Sequence, residues 1–217
     1  MRFDLTSLPA QINYKLLTAT VVPRPIAWVT SRSASGINNA APYSFFNVMG
    51  HEPPTVAVGI LRDPSRGQKD TAENILSQKE FVIHLVPLRL AHVMSSTSAG
   101  LPPEEDELEH AGIEVVEADV VHAPRILDAP VAFECISTHC IETGPKQFMV
   151  IGRVLRAHIA DEFVMNAEQG YIDVQALNLI SRLHGSGWYG KFPEMMKIER
   201  PQSAQAVSTA DILESNI

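Results

Sequence analysis

The sequence predicts a mainly β protein, a barrel or a sandwich with a few helical insertions. Short runs of β-branched and apolar residues recur along the chain, and each run is bounded by Pro, Gly, Asn or Ser. Helical patterns between them are brief and do not alternate regularly with the strands, which argues against a doubly wound parallel sheet. The 217 residues, of which 45% are hydrophobic and 19% charged, suffice for one sizeable core. We therefore expect a single domain built on short β-strands.

Apolar and β-branched runs predict the strands. They lie at 21–30, 55–61, 81–85, 115–116, 120–121, 132–139 and 148–157. The last run mixes apolar with charged positions, as a half-buried strand does, and it contains Gly152. A glycine inside a strand indicates a bulge or a bend, so we expect the sheet to curl near this residue.

The first predicted strand carries the segment Pro-Arg-Pro at 23–25. Proline has no N–H and a fixed φ, so this segment suits the edge of a sheet or a bulge and not the interior of a ladder. Its backbone groups must then find partners outside the sheet. A bound ligand is one such partner, and the alternative is an ordinary edge strand with a solvated Arg24.

Helices are predicted at 70–78, 88–95, 105–111 and 174–183. The first begins at Lys69-Asp70-Thr71, and Glu73 follows Asp70 by three residues, which is a capping-box pattern. A helix N-terminus offers unpaired N–H groups and the positive end of the helix dipole, and both favour phosphate. Lys69 would add charge and Thr71 a hydroxyl donor, while Asp70 would cap the backbone. A capped, solvated helix start is the alternative.

A serine among aromatic residues stands at Pro42-Tyr-Ser-Phe-Phe-Asn47. In an extended backbone Ser44 and Phe46 share one face, and Phe45 and Asn47 share the other. A hydroxyl beside an aromatic ring suits a flat heterocycle with a polar edge. Aromatic core packing with an incidental serine is the alternative. The Gly-x-Ser-x-Gly context of a nucleophilic serine is missing, so we do not expect a nucleophile here.

The chain has two cysteines, Cys135 and Cys140, with His139 between them. On a regular strand Cys135 and His139 would share a face and Cys140 would point away. Because this spacing matches no metal-binding pattern, we expect buried structural cysteines and no metal site.

A late glycine-rich segment, Arg182-Leu-His-Gly-Ser-Gly-Trp-Tyr-Gly190, carries two aromatic residues on a turn. Such a turn can lay Trp188 or Tyr189 across the mouth of a pocket. The alternative is the C-terminal cap of a helix followed by a surface turn.

Charge and hydropathy exclude several classes of partner. The net charge of −8 argues against a nucleic-acid surface, which needs a basic face. The N-terminus lacks the apolar core of a signal peptide, and no run approaches the roughly 20 apolar residues that cross a bilayer. We therefore expect a cytoplasmic protein that binds neither nucleic acid nor membrane.

Taken together, the motifs resemble those of the flavin reductase-like family of FMN-binding split-barrel proteins, in its flavoredoxin-like branch. They appear in the family's order: Thr20 to Thr30, Ala41 to Asn47, Lys69-Asp70-Thr71, and Arg182-x-x-Gly185-x-x-x-Tyr189. The resemblance spans roughly residues 12–200. It implies a six-stranded Greek-key split barrel at 1–200, a C-terminal tail at 201–217, and a homodimer that binds FMN in a groove near the subunit interface.

The resemblance also implies roles for the residues at the ring end of the cofactor. Arg24, Pro25 and Ile26 would line the edge of the isoalloxazine, largely through backbone groups. Ser44 and Phe45 would contact the ring or the ribityl chain. Arg24 would be the best candidate to stabilise the reduced flavin anion.

The remaining implied contacts lie at the two ends of the pocket. Lys69, Asp70 and Thr71 would hold the phosphate, in agreement with the helix-terminus argument. Tyr189 would close the pocket, either from the same subunit or from its partner.

One departure from the family limits the predicted reaction. NAD(P)H-using flavin reductases of this family commonly carry Gly-Asp-His, with the His five residues before the glycine that matches Gly152. Here Lys146 and Gln147 stand at the Asp and His positions. We expect an FMN-dependent oxidoreductase that acts with a small-molecule substrate or a redox partner protein. The alternatives are an NAD(P)H-dependent flavin reductase that supplies reduced FMN to a partner monooxygenase, and a non-catalytic flavin-binding module.

Overall fold

The computed structural model describes residues 1–63 and 67–198, and the predicted tail at 201–217 lies outside them. The α-helices are α1 Ala10–Thr20, α2 Asp70–Gln78, α3 Ala91–Ser96 and α4 Glu107–His110, and the 3-10 turns are Leu88–Leu90 and Asp161–Phe163. The first seven strands are β1 Arg24–Pro25, β2 Ala27–Arg32, β3 Asn38–Tyr43, β4 Phe46–His51, β5 Pro54–Leu61, β6 Glu80–Leu85 and β7 Val115–Val116. The others are β8 Arg125–Ile126, β9 Val131–Gly144, β10 Gln147–Ile159, β11 Val164–Asn166, β12 Tyr171–Ile172, β13 Ser181–Arg182 and β14 Tyr189–Gly190.

The main sheet of the described residues has the strand order β3-β2-β6-β9-β10-β5-β4, and its neighbours are antiparallel. Its two edge strands, β3 and β4, are consecutive in the chain and are separated only by a bend at Ser44 and Phe45. They therefore form one bent strand, and counted in this way the barrel has the six strands that the resemblance implies. Gly59 N–H donates to the Phe45 carbonyl at 2.6 Å, so β5 reaches the bend. The seam of the barrel lies at Ser44 and Phe45.

Strand β2 is buried on both faces, which explains its continuous apolar sequence. Ala27 and Val29 belong to the core cluster inside the barrel, which also contains Ile75 of α2. Trp28 points the other way, into a second cluster with Met94 of α3. Alternate residues of a strand face opposite sides, so β2 separates the two clusters. Helices α2 and α3 thus pack on different sides of the same strand.

A buried histidine ties β6 to its surroundings. His84 has no exposed surface, and its Nδ1 lies 3.0 Å from the Trp28 carbonyl oxygen. Its Nε2 accepts a hydrogen bond from the Ile126 N–H at 2.9 Å. Since Nε2 accepts, the proton of the neutral ring is on Nδ1 and is donated to Trp28. Both ring nitrogens are used by the backbone.

The bulge predicted near Gly152 is confirmed. The β9–β10 ladder shifts register between Ile151 and Gly152. A Cβ at Gly152 would lie 2.6 Å from Cζ of Phe81, a residue with no exposed surface. Glycine is therefore required here because the Phe81 ring occupies the place of a side chain.

The same bulge reverses the predicted faces of the cysteine segment. His139 pairs with Ile151 and Ser137 with Gly152, so Thr138 is the extra residue. An extra residue shifts the alternation by one, and Cys135 and Cys140 both pack on the barrel core while His139 is exposed. The expectation that Cys135 and His139 share a face was wrong.

Four predicted elements differ from the structure in the first half and the middle of the chain. The strand predicted at 21–30 is divided into β1 and β2, and α1 before it was not predicted. The helix predicted at 88–95 forms as a 3-10 turn followed directly by α3, and the helix predicted at 105–111 is shortened to α4. No strand forms at Val120–Val121, because the Val120 N–H donates to a Glu134 carboxylate oxygen at 2.7 Å and not to a ladder partner.

The helix predicted at 174–183 is also wrong. Its residues form turns and then β13, and Asn178 has a φ of 45°. The Ile180 N–H donates to the Val86 carbonyl at 2.9 Å, and Leu179 forms a bridge with Pro87. Long-range pairing with the segment after β6 thus replaces the local helical bonds.

Candidate functional site

A small sheet of three strands, β1-β13-β14, carries three of the residues that the motifs single out. Arg24 is paired with Arg182, and Arg182 is paired with Tyr189, so the three side chains lie in one row across the sheet. Residues directly opposite each other in an antiparallel pair project from the same face. The Arg182 guanidinium lies over the Tyr189 ring, 4.8 Å from its centroid.

Arg24 is buried, with 7% of the residue exposed, and its guanidinium binds backbone carbonyls. Its Nη1 donates to Thr18 O at 2.7 Å and Val21 O at 2.6 Å, and its Nη2 donates to Leu183 O at 2.6 Å. Burial lowers the pKa of Arg24, and the neighbouring Arg182 charge acts in the same direction. Arg24 therefore fastens the end of α1 to the residue after β13.

A cleft of about 200 Å³, which we call the small cleft, opens beside this row. Its lining residues are Ile26, Pro42, Tyr43, Ser44, Met94, Ser98, Arg182 and Tyr189. The lining comes from the segment between β1 and β2, from β3 and its bend, from α3 and the turn after it, and from β13 and β14. Three predicted site residues, Ile26, Ser44 and Tyr189, thus come together from distant parts of the sequence.

A larger groove of about 470 Å³ lies on the other side of the bend, and we call it the apolar groove. Its lining includes Leu17, Val21, Pro23, Arg24, Pro25, Ser44, Phe45, Met49, Gln147 and Met149. Phe45 is 37% exposed, and its ring centroid lies 6.1 Å from that of Tyr14 on α1. Ser44 lines both cavities, so the bend forms the boundary between them.

The start of α2 adjoins the small cleft through Tyr43. The Lys69 ammonium lies 5.7 Å from the centroid of the Tyr43 ring, and Tyr43 is a wall of the cleft. The Tyr43 hydroxyl is buried beside Thr71 but completes no hydrogen bond of good geometry to a described residue. Burial raises the pKa of this hydroxyl. Lys69 thus places a positive charge against this wall of the cleft.

The predicted capping box at the start of α2 is wrong. Lys69 is the N-cap residue, with extended backbone, Asp70 is the first residue of the helix, and no side chain caps it. Asp70 is half-buried and lines a separate acidic cavity that also contains Glu73 and Glu107. Asp70 therefore lies at the predicted place without the predicted capping role.

Thr71 has no exposed surface, and its hydroxyl donates to Asn39 Oδ1 at 2.5 Å. The same oxygen is 3.4 Å from the Ser31 hydroxyl, which in turn accepts from Asn74 Nδ2 at 3.1 Å. Glu107 joins this network through Asn39, and burial raises the pKa of its carboxyl. The network fixes the first turns of α2 to β2 and β3.

Five cleft residues were not predicted as site residues: Pro42, Tyr43, Met94, Ser98 and Arg182. Pro42 and Tyr43 stand next to Ser44 in the motif that pointed to it. Arg182 belongs to the motif that pointed to Tyr189, so its position was visible in the sequence. Met94 and Ser98 reach the cleft because α3 packs on the outer face of β2, and no local pattern indicates that packing.

A second polar cluster lies away from the cleft, where Asp119, Glu134 and His158 bring ligand-type atoms within 4.8 Å of one another. Glu134 has no exposed surface, and it accepts hydrogen bonds from the N–H groups of Asp119 and Val120 and contacts His158 Nε2. Asp119 forms an ion pair with Arg156. Each carboxylate is thus already engaged by protein groups that hold the 119–121 segment on the sheet.

Among the described helices, none has both the length and the apolar character needed to span a membrane.

Most of the chain is similar to known proteins. The model of the flavin reductase like domain matches residues 19–174. An uncharacterized protein of Halalkalibacterium halodurans is 39% identical over 210 residues, which are 94% of this chain and 99% of that protein. Nitrilotriacetate monooxygenase component B from Bacillus cereus has a similar crystal structure, with a TM-score of 0.85, 34% identity, and coverage of 91% of this chain and 98% of that one. The 2-nitrobenzoate 2-nitroreductase NbaA of Pseudomonas fluorescens gives a TM-score of 0.86 at 29% identity, with coverage of 96% and 100%.

Proposed function

This chain belongs to the flavin reductase-like family of oxidoreductases, and on that premise we propose that it holds FMN between the small cleft and the start of α2. One observation carries the proposal: Ile26, Ser44 and Tyr189 line one cleft whose Tyr43 wall lies next to Lys69. Apolar and aromatic walls with a few polar groups are the ordinary lining of a site for a flat ligand. When bound, FMN supplies the hydride or electron transfer, and the protein orients it.

The ring end of the cofactor would lie against Ile26, with the Ser44 hydroxyl at a polar edge and the Tyr189 ring as the closing wall. Pro25 is exposed and has no N–H, so it offers only its ring and its carbonyl. Arg24 would act indirectly, by holding β1 against the end of α1 and against Leu183, because its guanidinium already donates to three backbone carbonyls. Its charge would still favour a reduced, anionic ring nearby.

The phosphate end would lie at the start of α2. This helix has nine residues, and its first N–H groups and dipole favour an anion. Lys69 supplies a full positive charge at that end. Thr71 would contribute by holding the helix start through Asn39, and Asp70 by its place in the first turn.

We propose that the protein is a homodimer and that the second chain completes the site. The small cleft measures about 200 Å³, below the roughly 300–1,000 Å³ of typical ligand pockets. The apolar groove adjoins it, and nearby Val48 and Met49 are 63% and 61% exposed. Exposed apolar surface of this kind marks an association surface. Sedimentation equilibrium should give twice the chain mass, and a monomer that binds FMN would exclude this arrangement.

Flavin binding is tested with the purified protein. We expect quenching of FMN fluorescence on titration, a visible flavin spectrum after gel filtration, and weaker binding of riboflavin, which lacks the phosphate. A protein that takes up neither FMN nor riboflavin would overturn the proposed function.

A second candidate is an NAD(P)H-dependent reductase that delivers reduced FMN to a partner monooxygenase. The 34% identity with component B of nitrilotriacetate monooxygenase favours it. Against it stands the replacement of the family's Asp-His by Lys146 and Gln147, at the start of β10.

Anaerobic reduction separates the two candidates. Bleaching of the flavin by NADH or NADPH, with turnover of added free FMN, would support the reductase. Bleaching by dithionite alone would support a bound flavin with another electron donor. A flavin that no donor or substrate turns over would identify a non-catalytic binding module.

A further inference from the structure

We propose that Arg182 binds the carboxylate of a small organic acid in the small cleft and so selects an anionic substrate. The proposal rests on the proposed function, since the cleft is the place where a substrate would meet the flavin. It adds a substrate class to that function.

Arg182 carries a positive charge that no acidic side chain of the described residues compensates. Within residues 1–63 and 67–198, Arg182 forms no ion pair, and its one hydrogen bond runs from Nη2 to the Gly185 carbonyl at 2.8 Å. Its neighbour in the row, Arg24, also binds only carbonyls. Like charges directly opposite each other on paired strands are unfavourable. An anion in the cleft would offset this repulsion.

The position of Arg182 also allows it to reach a ligand in the cleft. Arg182 lines the small cleft together with Ser44, Ser98 and Tyr189. The Tyr189 ring lies under the guanidinium at 4.8 Å and restricts its plane. The Nε and Nη1 donors carry no hydrogen bond to a described residue. A planar guanidinium with free donors can bind the two oxygens of a carboxylate through two parallel hydrogen bonds.

The phosphate of the cofactor would have a binding place of its own, apart from Arg182. Lys69 lies against Tyr43, and the start of α2 follows it. That end of the site provides its own charge and its own N–H donors for a phosphate. Arg182 lies on the small sheet instead, beside Tyr189 and across from Arg24. The two positive centres therefore have separate anions to bind.

The test compares benzoate with benzamide, two probes of the same shape that differ in charge. Each is titrated into FMN-loaded protein and followed by the change in the flavin spectrum. We expect the wild type to bind benzoate at least 10-fold more tightly than benzamide, and Arg182→Gln to bind both equally. Arg182→Lys keeps the charge but not the fork of donors, and it should retain part of the preference. Arg153→Gln, at an exposed position of β10, is the matched control and should behave as wild type.

Three results would overturn the proposal. The first is an unchanged preference in Arg182→Gln, and the second is no benzoate preference in the wild type. The third is weaker binding of FMN, but not of riboflavin, by Arg182→Gln, which would assign Arg182 to the cofactor phosphate. If the wild type binds no flavin, the proposed function fails, and calorimetric titration of the same probes still decides the role of Arg182. Circular dichroism and the melting temperature verify that each variant is folded.

Discussion

The hydroxyl of Thr71, at the start of α2, donates to the carboxamide oxygen of Asn39 on β3 at 2.5 Å, and both residues are buried. This bond joins the helix start that would bind phosphate to the strand that ends at Tyr43, a wall of the small cleft. Thr71, which the motif suggested as a phosphate ligand, thus holds the start of α2 on β3 instead.

Replacing Thr71 by valine keeps the volume and removes this donor. We expect the free energy of unfolding to fall by about 1–2 kcal/mol, because Asn39 loses a buried partner. FMN binding should weaken more than riboflavin binding, since only the phosphate end is displaced. Urea unfolding and fluorescence titration measure the two effects. Thr71→Ser, which retains the hydroxyl, should restore the FMN preference, and an equal loss of both flavins would refute the assignment.

Replacing Lys69 by glutamine should weaken FMN binding by about 10–100-fold, the value of one charge-assisted hydrogen bond. Riboflavin binding should change little, because riboflavin has no phosphate. Lys15→Gln, at an exposed position of α1, is the control for the loss of one positive charge. An equal effect of both substitutions would point to general electrostatics and not to a phosphate contact.

Replacing Gly152 by alanine should destabilise the barrel by about 1–3 kcal/mol, since the new methyl group would meet Phe81 Cζ at 2.6 Å. Gly144→Ala is the matched control on the same hairpin, where the nearest atom would be Gln147 Cγ at an ordinary 3.6 Å. Chemical denaturation compares the two. If Gly152→Ala were as stable as Gly144→Ala, Phe81 would have room to move.

The stability of the protein should depend on pH through His84. Burial lowers the pKa of His84 to about 4, below the 6.5 of an unfolded histidine. The folded state therefore binds this proton less readily, and stability that is complete above pH 6.5 is lost as the pH falls towards 4. The loss between pH 7 and pH 4.5 should be about 2 kcal/mol.

Carboxylates titrate over the same range, so the effect is read as a difference between variants. His84→Asn retains a donor for the Trp28 carbonyl. Its loss of stability between pH 7 and pH 4.5 should be smaller than that of the wild type by about 2 kcal/mol. The exposed His92→Asn should follow the wild type. Parallel curves for all three proteins would show that His84 is not the group responsible.

The sequence predicted those parts of the fold that depend on local pattern. The helix Asp70–Gln78 has the predicted bounds, and strands β5 and β6 lie within one residue of theirs. The helix at 174–183 was predicted wrongly because its apolar residues recur every three positions, as on a helix, at Val174, Leu177, Ile180 and Leu183. Two of them, Leu177 and Ile180, are buried through turns instead. Helix α1 gave little signal because its apolar side chains remain largely exposed and Pro9 at its N-cap provides no side-chain cap.

In the candidate site, too, local motifs were predictive and long-range contacts were not. The motifs identified Ile26, Ser44 and Tyr189 separately, and the structure places them around one cleft. The hydrogen-bond partners of the Arg24 side chain could not be predicted from a local pattern, because one of its acceptors, Leu183, is 159 residues away in the sequence. Thr71 was similarly assigned to a ligand because Asn39, its partner on β3, is 32 residues away in the sequence.

The hydrogen bond from Arg24 to Leu183 joins the N-terminal part of the proposed site to a residue that is synthesised late. Strand β1 pairs with β13 in the described residues, and β13 and β14 carry Arg182 and Tyr189 of the small cleft. Strand β1 therefore lacks its ladder partner, and the cleft lacks two of its walls, until residues 181–190 have emerged from the ribosome. The β2–β3 hairpin and α2 can form much earlier. A nascent barrel would therefore hold most of its core before the proposed cofactor site is complete, and we expect FMN to bind only after residues 181–190 have been synthesised.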